Sequence, residues 1–226
     1  MRSIAIAIIA MSICIAVALV ALLYPNTIRT LLTRATHQKL HTVYSTSSMQ
    51  GIDMSARGAS IKIVARGAPP YRIEASSGCS VSVEGTKSIE IVAEGSSGCR
   101  ILIEVPPKLS YLTLYVRKGS VEIDGVSVGT LAATLISSST SLNGVVVRQS
   151  LYLYLFTSTM SLNGVEMARG SSGSIKMFSS SMSAVFSSGV KPLLDTYMSR
   201  VSNKGCVSGP EIRILARMSS LSLSCP

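Results

Sequence analysis

Apolar and polar residues alternate through the second half of the chain. Leu112 to Val116, Leu131 to Ile136, Leu151 to Phe156 and Ile175 to Phe178 each read as a half-buried strand. Between them one phrase returns as Ile123-Asp124-Gly125-Val126, Leu142-Asn143-Gly144-Val145 and Leu162-Asn163-Gly164-Val165, at steps of 19 and 20 residues. A fixed period marks stacked units, because one such unit cannot bury its own apolar face. The pattern predicts an all-β fold, a single-stack β-solenoid with rungs of about 20 residues. Asp124, Gly125, Asn143, Gly144, Asn163 and Gly164 fall at its corners. A left-handed backbone is cheapest there for Gly and tolerable for Asn, and stacked asparagines can bond along the column.

Superposing the repeats gives a register. Leu112, Leu131 and Leu151 stack, as do Leu114, Ala133, Leu153 and Ile175, and Val116, Leu135, Leu155 and Met177. These rows form the inward face, since alternate residues of a strand share a side. The outward rows are then Tyr115, Thr134, Tyr154, Lys176 and Arg117, Ile136, Phe156, Phe178. Tyr115, Ile136, Tyr154, Phe156 and Phe178 make an apolar stripe, and an exposed stripe of that size marks a contact surface unless the chain covers it. Leu194, Tyr197, Met198 and Val201 recur at helical spacing and predict a C-terminal helix as that cover, or as a plug at the column's end.

Upstream, Ile61 to Val64, Tyr71 to Glu74, Val81 to Glu84, Ile89 to Val92 and Ile101 to Val105 also read as strands. Ser76-Ser77-Gly78-Cys79 returns as Ser96-Ser97-Gly98-Cys99, again one period apart, which predicts one continuous stack. About seven rungs between Gly51 and Val190 would make a column of roughly 30–35 Å. Ile212 to Leu215 and Leu221 to Leu223 predict two further short strands.

The N-terminus changes the setting. Ile4 to Tyr24 holds 21 consecutive uncharged residues, long enough to cross a bilayer core of about 30 Å. The run exceeds a signal-peptide core and no Ala-x-Ala-like site follows, so a retained single-pass anchor is favoured over a cleaved signal. Residues 1–25 are thus read as the anchor, 26–44 as a basic juxtamembrane stalk or helix, and 45–226 as the β-solenoid, with the helix and strands at about 191–226. Arg29, Arg34 and Lys39 follow the anchor, which by the positive-inside tendency favours a cytoplasmic domain. The signal-like N-terminus and the paired cysteines favour the extracytoplasmic side, and that is the expectation adopted.

Net charge is +10, but the basic residues are scattered and no aromatic-and-basic nucleic-acid motif occurs. Membrane headgroups or an acidic surface glycan suit this charge better than nucleic acid. Outside the apolar N-terminal run lie Cys79, Cys99, Cys206 and Cys225. Their spacing favours Cys79–Cys99 and Cys206–Cys225 among three possible connectivities, with buried thiols in a reducing compartment as the alternative. No Cys-x-x-Cys pair occurs and both histidines fall in the stalk, so neither a zinc site nor a His-activated nucleophile is expected in the domain. Carboxylates for glycoside hydrolysis would have to come from residues such as Glu104 with Glu122 or Asp124. No catalytic group, cofactor or metal is expected. The serine runs 137–139 and 179–181 are the candidate positions for surface glycosylation.

The run Glu104-Val105-Pro106-Pro107-Lys108-Leu109-Ser110-Tyr111-Leu112, followed by Lys118-Gly119-Ser120-Val121-Glu122-Ile123-Asp124-Gly125-Val126, resembles a known pattern. It is similar to the prokaryotic "putative adhesin" β-solenoid family, a domain of unknown function related to LiaG and head-GIN proteins. That resemblance spans about residues 51–190. It implies a right-handed stack of parallel strands, membrane-attached or exported, without established catalysis. The paired cysteines and serine-rich late rungs depart from the family's usual pattern. The expected function is therefore non-catalytic adhesion or protein contact by a membrane-anchored domain. The alternatives are a surface-filament or envelope subunit and a polysaccharide-active enzyme.

Overall fold

The structure is a computed structural model and describes residues 39–95 and 98–226. The predicted anchor and residues 26–38 of the predicted stalk lie outside the described residues. No helix occurs among the described residues, which form nineteen strands. The first seven are β1 (Leu40–Thr46), β2 (Gly51–Arg57), β3 (Ser60–Ala65), β4 (Tyr71–Ser76), β5 (Cys79–Glu84), β6 (Ser88–Gly95) and β7 (Arg100–Val105). Then come β8 (Lys108–Arg117), β9 (Ser120–Asp124), β10 (Ser127–Ile136), β11 (Ser139–Asn143), β12 (Val146–Phe156) and β13 (Thr159–Met167). The last are β14 (Ser172–Phe178), β15 (Ser181–Phe186), β16 (Lys191–Tyr197), β17 (Arg200–Lys204), β18 (Glu211–Arg217) and β19 (Ser220–Ser224).

From β8 to β15, strands two apart in sequence pair in parallel, and the parallel ladders divide between two sheets. The first sheet runs β6-β2-β8-β10-β12-β14-β18-β16. The second runs β7-β3-β9-β11-β13-β15-β19-β17. Each pair such as β8 and β9 makes one tier. The register is the expected one: Leu131 lies between Leu112 and Leu151, and Leu153 between Ala133 and Ile175. These inward residues are all buried. A fully buried Leu, Ile or Val contributes about 1.5–3 kcal/mol relative to exposure, so the stacked rows are the principal stabilising element.

Tier order departs from chain order at both ends. The β2/β3 tier lies between β6/β7 and β8/β9, and the β18/β19 tier lies between β14/β15 and β16/β17. The period could not reveal this, because every tier offers its neighbours the same inward alternation. The repeated Ser-Ser-Gly-Cys phrase is also not a step between parallel tiers. β4 runs antiparallel on β7, β5 antiparallel on β6, and β1 antiparallel on β4, so this end is closed by reversed strands. The folded unit begins at Leu40 rather than residue 45, and His41 belongs to it, exposed on β1.

The predicted C-terminal helix is replaced by β16 and β17. Its helical spacing has a simple origin. Leu194 and Val201 are on the inward rows, paired with Ile214 and Leu221 respectively. The left-handed corner at Met198 (φ 49°) shifts the alternation by one residue and so imitates a helical period.

The corners after the first-sheet strands share one device. Lys118, Ser137, Thr157, Ser179, Met198 and Met218 all have φ between 48° and 54°. Except after Lys118, where Gly119 stands, the next residue is a serine whose Oγ accepts a backbone N–H from an adjacent tier. Ser158 accepts from Ser138 N at 3.2 Å, Ser180 from Ser158 N at 3.2 Å, Ser219 from Ser180 N at 3.3 Å and Ser199 from Ser219 N at 3.1 Å. The same hydroxyls donate to strand-end carbonyls, Ser158 to Phe156 O at 2.9 Å and Ser180 to Phe178 O at 2.7 Å. Ser138 and Ser180, expected as surface acceptors, are therefore buried members of this chain.

Candidate functional site

Four tiers of the first sheet, β8, β10, β12 and β14, present the stripe predicted from sequence. Tyr115, Thr134, Tyr154 and Lys176 form one outward row, and Arg117, Ile136, Phe156 and Phe178 the next. Tyr115 is 44% exposed, Tyr154 37% and Phe156 46%, while Ile136 and Phe178 are half-buried by their neighbours. Tyr154 and Phe178 pack ring against ring, with centroids 5.8 Å apart and planes tilted by 42°. A third row of Thr113, Ala132, Tyr152 and Ser174 belongs to the same face. Its Tyr152 is the most exposed aromatic of these four tiers at 50%. Sequence reasoning passed over Tyr152, although the Leu-Tyr-Leu-Tyr-Leu-Phe alternation puts it on the same side as Tyr154.

Side-chain size varies from tier to tier and gives the face relief. Ala132 and Thr134 are short, whereas Tyr115 on one side and Tyr152 and Tyr154 on the other stand tall. The result is a groove of about 380 Å³ lined by Ala132, Thr134, Tyr152, Tyr154, Ser174 and Lys176. A second hollow of about 530 Å³ shares Ser174 and Lys176 and continues past Leu215 and Arg213 to Leu193 on β16. The two together run along the stacking direction. At that end Arg217 lies 3.6 Å from the Asp195 carboxylate and 5.7 Å from the Tyr197 ring centre. β8, β10, β12 and β14 carry Lys108, Arg117, Arg148 and Lys176 but no Asp or Glu.

The second sheet presents a different surface. Its outward positions on β11, β13, β15 and β19 include Ser139, Ser141, Thr159, Ser161, Ser181, Ser183, Ser220 and Ser222, and the one charged residue exposed on these strands is Glu166, past the Gly164 corner of β13. At the corner beside it Gly125, Gly144 and Gly164 take φ of 66°, 58° and 62°. Asn163 donates to Asn143 at 3.0 Å, and Asn143 to Asp124 at 2.7 Å. Lys62 closes this line, 3.0 Å from Asp124 and 3.2 Å from Glu122. Partial burial pushes the Asp124 carboxyl up, but the hydrogen bonds from Asn143 and Lys62 outweigh it and hold the group below the usual aspartate range. Hydrogen bonds to Asp124 and then Glu122 raise the Lys62 ammonium above its ordinary value. Glu104 is paired with Arg66 and separated from Asp124 by Val64, so these carboxylates do not meet.

Cys79 is bonded to Cys99 and Cys206 to Cys225, with Cα separations of 4.8 and 5.0 Å. The first bridge ties the reversed β5 hairpin to the chain entering β7, and the second ties the end of the β17 tier to the end of β19. Each thus staples a terminal tier that has a parallel neighbour on one side only. Closing loops of about 20 residues contributes roughly 3 kcal/mol each on the chain-entropy account. Among the described residues no three His, Cys, Asp or Glu side chains gather as a metal-holding group.

No protein-family profile matches the chain, and no curated protein matches it. Among solved structures it is similar to a "putative cell adhesion protein" from Clostridium sporogenes at 10% identity and a TM-score of 0.43, covering 83% of this chain and 98% of that one. A "putative adhesin" from Bacteroides fragilis matches at 13% identity and a TM-score of 0.38, covering 84% and 98%. A "putative lipid binding protein" from Parabacteroides distasonis matches at 11% and 0.31, covering 82% and 96%.

Proposed function

We propose that the chain is a membrane-anchored, extracytoplasmic β-solenoid that makes adhesive contact through the outward face of β8, β10, β12 and β14, without catalysing a reaction. The observation carrying this reading is the uncovered aromatic stripe. The expected C-terminal cover is a pair of strands extending the column instead, and among the described residues nothing lies over Tyr115, Tyr152, Tyr154 or Phe156. An apolar strip kept open at the cost of solubility is the mark of a contact surface. The two end staples and the apolar N-terminal run fit a domain held in an oxidising compartment beyond a membrane.

Replacing Phe156 and Phe178 together by Ser tests the reading. These side chains point outward, so folding and export should be retained, with a stability change of about 0.5 kcal/mol at Phe156 and about 1–2 kcal/mol at Phe178, which is half-buried and packs on Tyr154. Binding of cells displaying the chain to their target surface should fall at least about tenfold. Unchanged binding by a properly folded double variant would retire this face as the contact site.

A further inference from the structure

The contact face has a chemistry of its own, and we propose that its ligand is an acidic polysaccharide lying along the column axis. This inference rests on reading the face as the contact surface and adds the class of molecule it takes. Three observations carry it. The two hollows share Ser174 and Lys176 and form one groove crossing from β10 to β16, so the site suits an extended chain rather than a compact molecule. Tall aromatics border it: Tyr152 and Tyr154 line the first hollow, and Tyr115 stands across Thr134 from Tyr154, two tiers or about 9–10 Å away along the strand stack. That opening is wide enough for a flat ring with rings on both sides, and aromatic faces pack well against the C–H faces of a sugar. Finally, the charged side chains lining the groove are Lys176 and Arg213 against Asp195, whose carboxylate Arg217 pairs at 3.6 Å, and β8, β10, β12 and β14 add cations and no acid, so the field favours a negative ligand.

The balance of groups selects a glycan over a nucleic acid. Tyr115, Thr134, Tyr152, Tyr154 and Ser174 bring hydroxyls to the face, against the two outward cations Arg117 and Lys176. A single-stranded nucleic acid carries a phosphate at every unit and is tracked by a continuous basic groove. A polyhydroxylated chain with intermittent carboxylates matches many hydroxyls and few cations. Tyr hydroxyls and Ser174 exchange hydrogen bonds with sugar hydroxyls, and Lys176 meets a carboxylate at the boundary between the two hollows.

The test uses the full chain in detergent micelles and three polymers: polygalacturonate, its fully methyl-esterified form, and poly-dT. Polygalacturonate should bind, and the esterified polymer, with the same backbone and no charge, should bind at least about tenfold more weakly. Tyr154→Ala and Lys176→Ala should each weaken polygalacturonate binding about tenfold, while Ser183→Ala on the opposite sheet leaves it unchanged. Circular dichroism and melting confirm that the variants are folded. Equal binding of the charged and esterified polymers, insensitivity to Tyr154→Ala and Lys176→Ala, or tighter binding of poly-dT would each overturn the proposal. No polygalacturonate binding, with cell binding still lost in the Phe156/Phe178 variant, overturns the ligand class alone. Unchanged cell binding in that variant overturns the contact face itself.

Discussion

Ser158 joins two tiers through one hydroxyl. It accepts the Ser138 N–H, donates to Phe156 O, lies 3.0 Å from Leu135 O, and is 3% exposed. Ser158→Ala leaves the buried Ser138 N–H without its acceptor, while Phe156 O still accepts from Ser137 N, and should cost about 1–3 kcal/mol in chemical denaturation. Ser183→Ala, on the open second face, should shift stability by less than about 0.5 kcal/mol. Equal effects of the two changes would show that the corner hydroxyls contribute nothing. Asp124 gives a pH-dependent counterpart. Its folded carboxyl titrates below the ordinary aspartate value, so its stabilisation is present above the unfolded-state value of about 3.9 and is lost as pH falls through the folded one. Wild type should therefore melt higher than Asp124→Asn at neutral pH, and the difference should vanish on acidification. A gap independent of pH would contradict the role given to the Lys62–Asp124–Asn143 line.

At the scale of elements, the last tier decides whether the column can grow. Lys191 N donates to Pro210 O on the β18 side, so the nitrogen of the next residue, Pro192, faces the open edge and has no hydrogen to offer. Lys191, Asp195, Arg200 and Lys204 place charges along the same exposed strands. Proline and charge are the ordinary devices that stop an edge from pairing onward. Edge-to-edge assembly into a filament is therefore disfavoured by the end that would have to propagate it. Sedimentation should find the wild-type chain free of concentration-dependent polymers, with Pro192→Val increasing self-association through Leu194. Polymers of the wild type would reverse this conclusion.

At the scale of the molecule, what could be read from sequence was what every tier repeats. Leu112, Leu131 and Leu151 fall at one phase of a fixed period, so their stacking and the outward position of Phe156 followed from alternation alone. Tier order did not follow, because β2 offers β6 and β8 the same inward pattern that any neighbour would. The corner serines were visible as composition, but their burial depends on a left-handed residue before each one, and Ser137 and Thr157 are not residue types that announce it. Leu194, Tyr197, Met198 and Val201 were misread for the same reason, since one left-handed corner converts a twofold alternation into an apparent helical one.

Every contact proposed for the aromatic face requires this domain to stand outside the membrane, and one labelling experiment tests that most directly. Ser183 is exposed on the second sheet and lines neither hollow of the groove. Intact cells carrying Ser183→Cys would be treated with a membrane-impermeant maleimide, and the mass of the protein compared with wild type treated alike. The account predicts one additional tag on the variant before lysis. A tag that appears only after the cells are broken would put the domain in the cytoplasm and contradict the adhesive role.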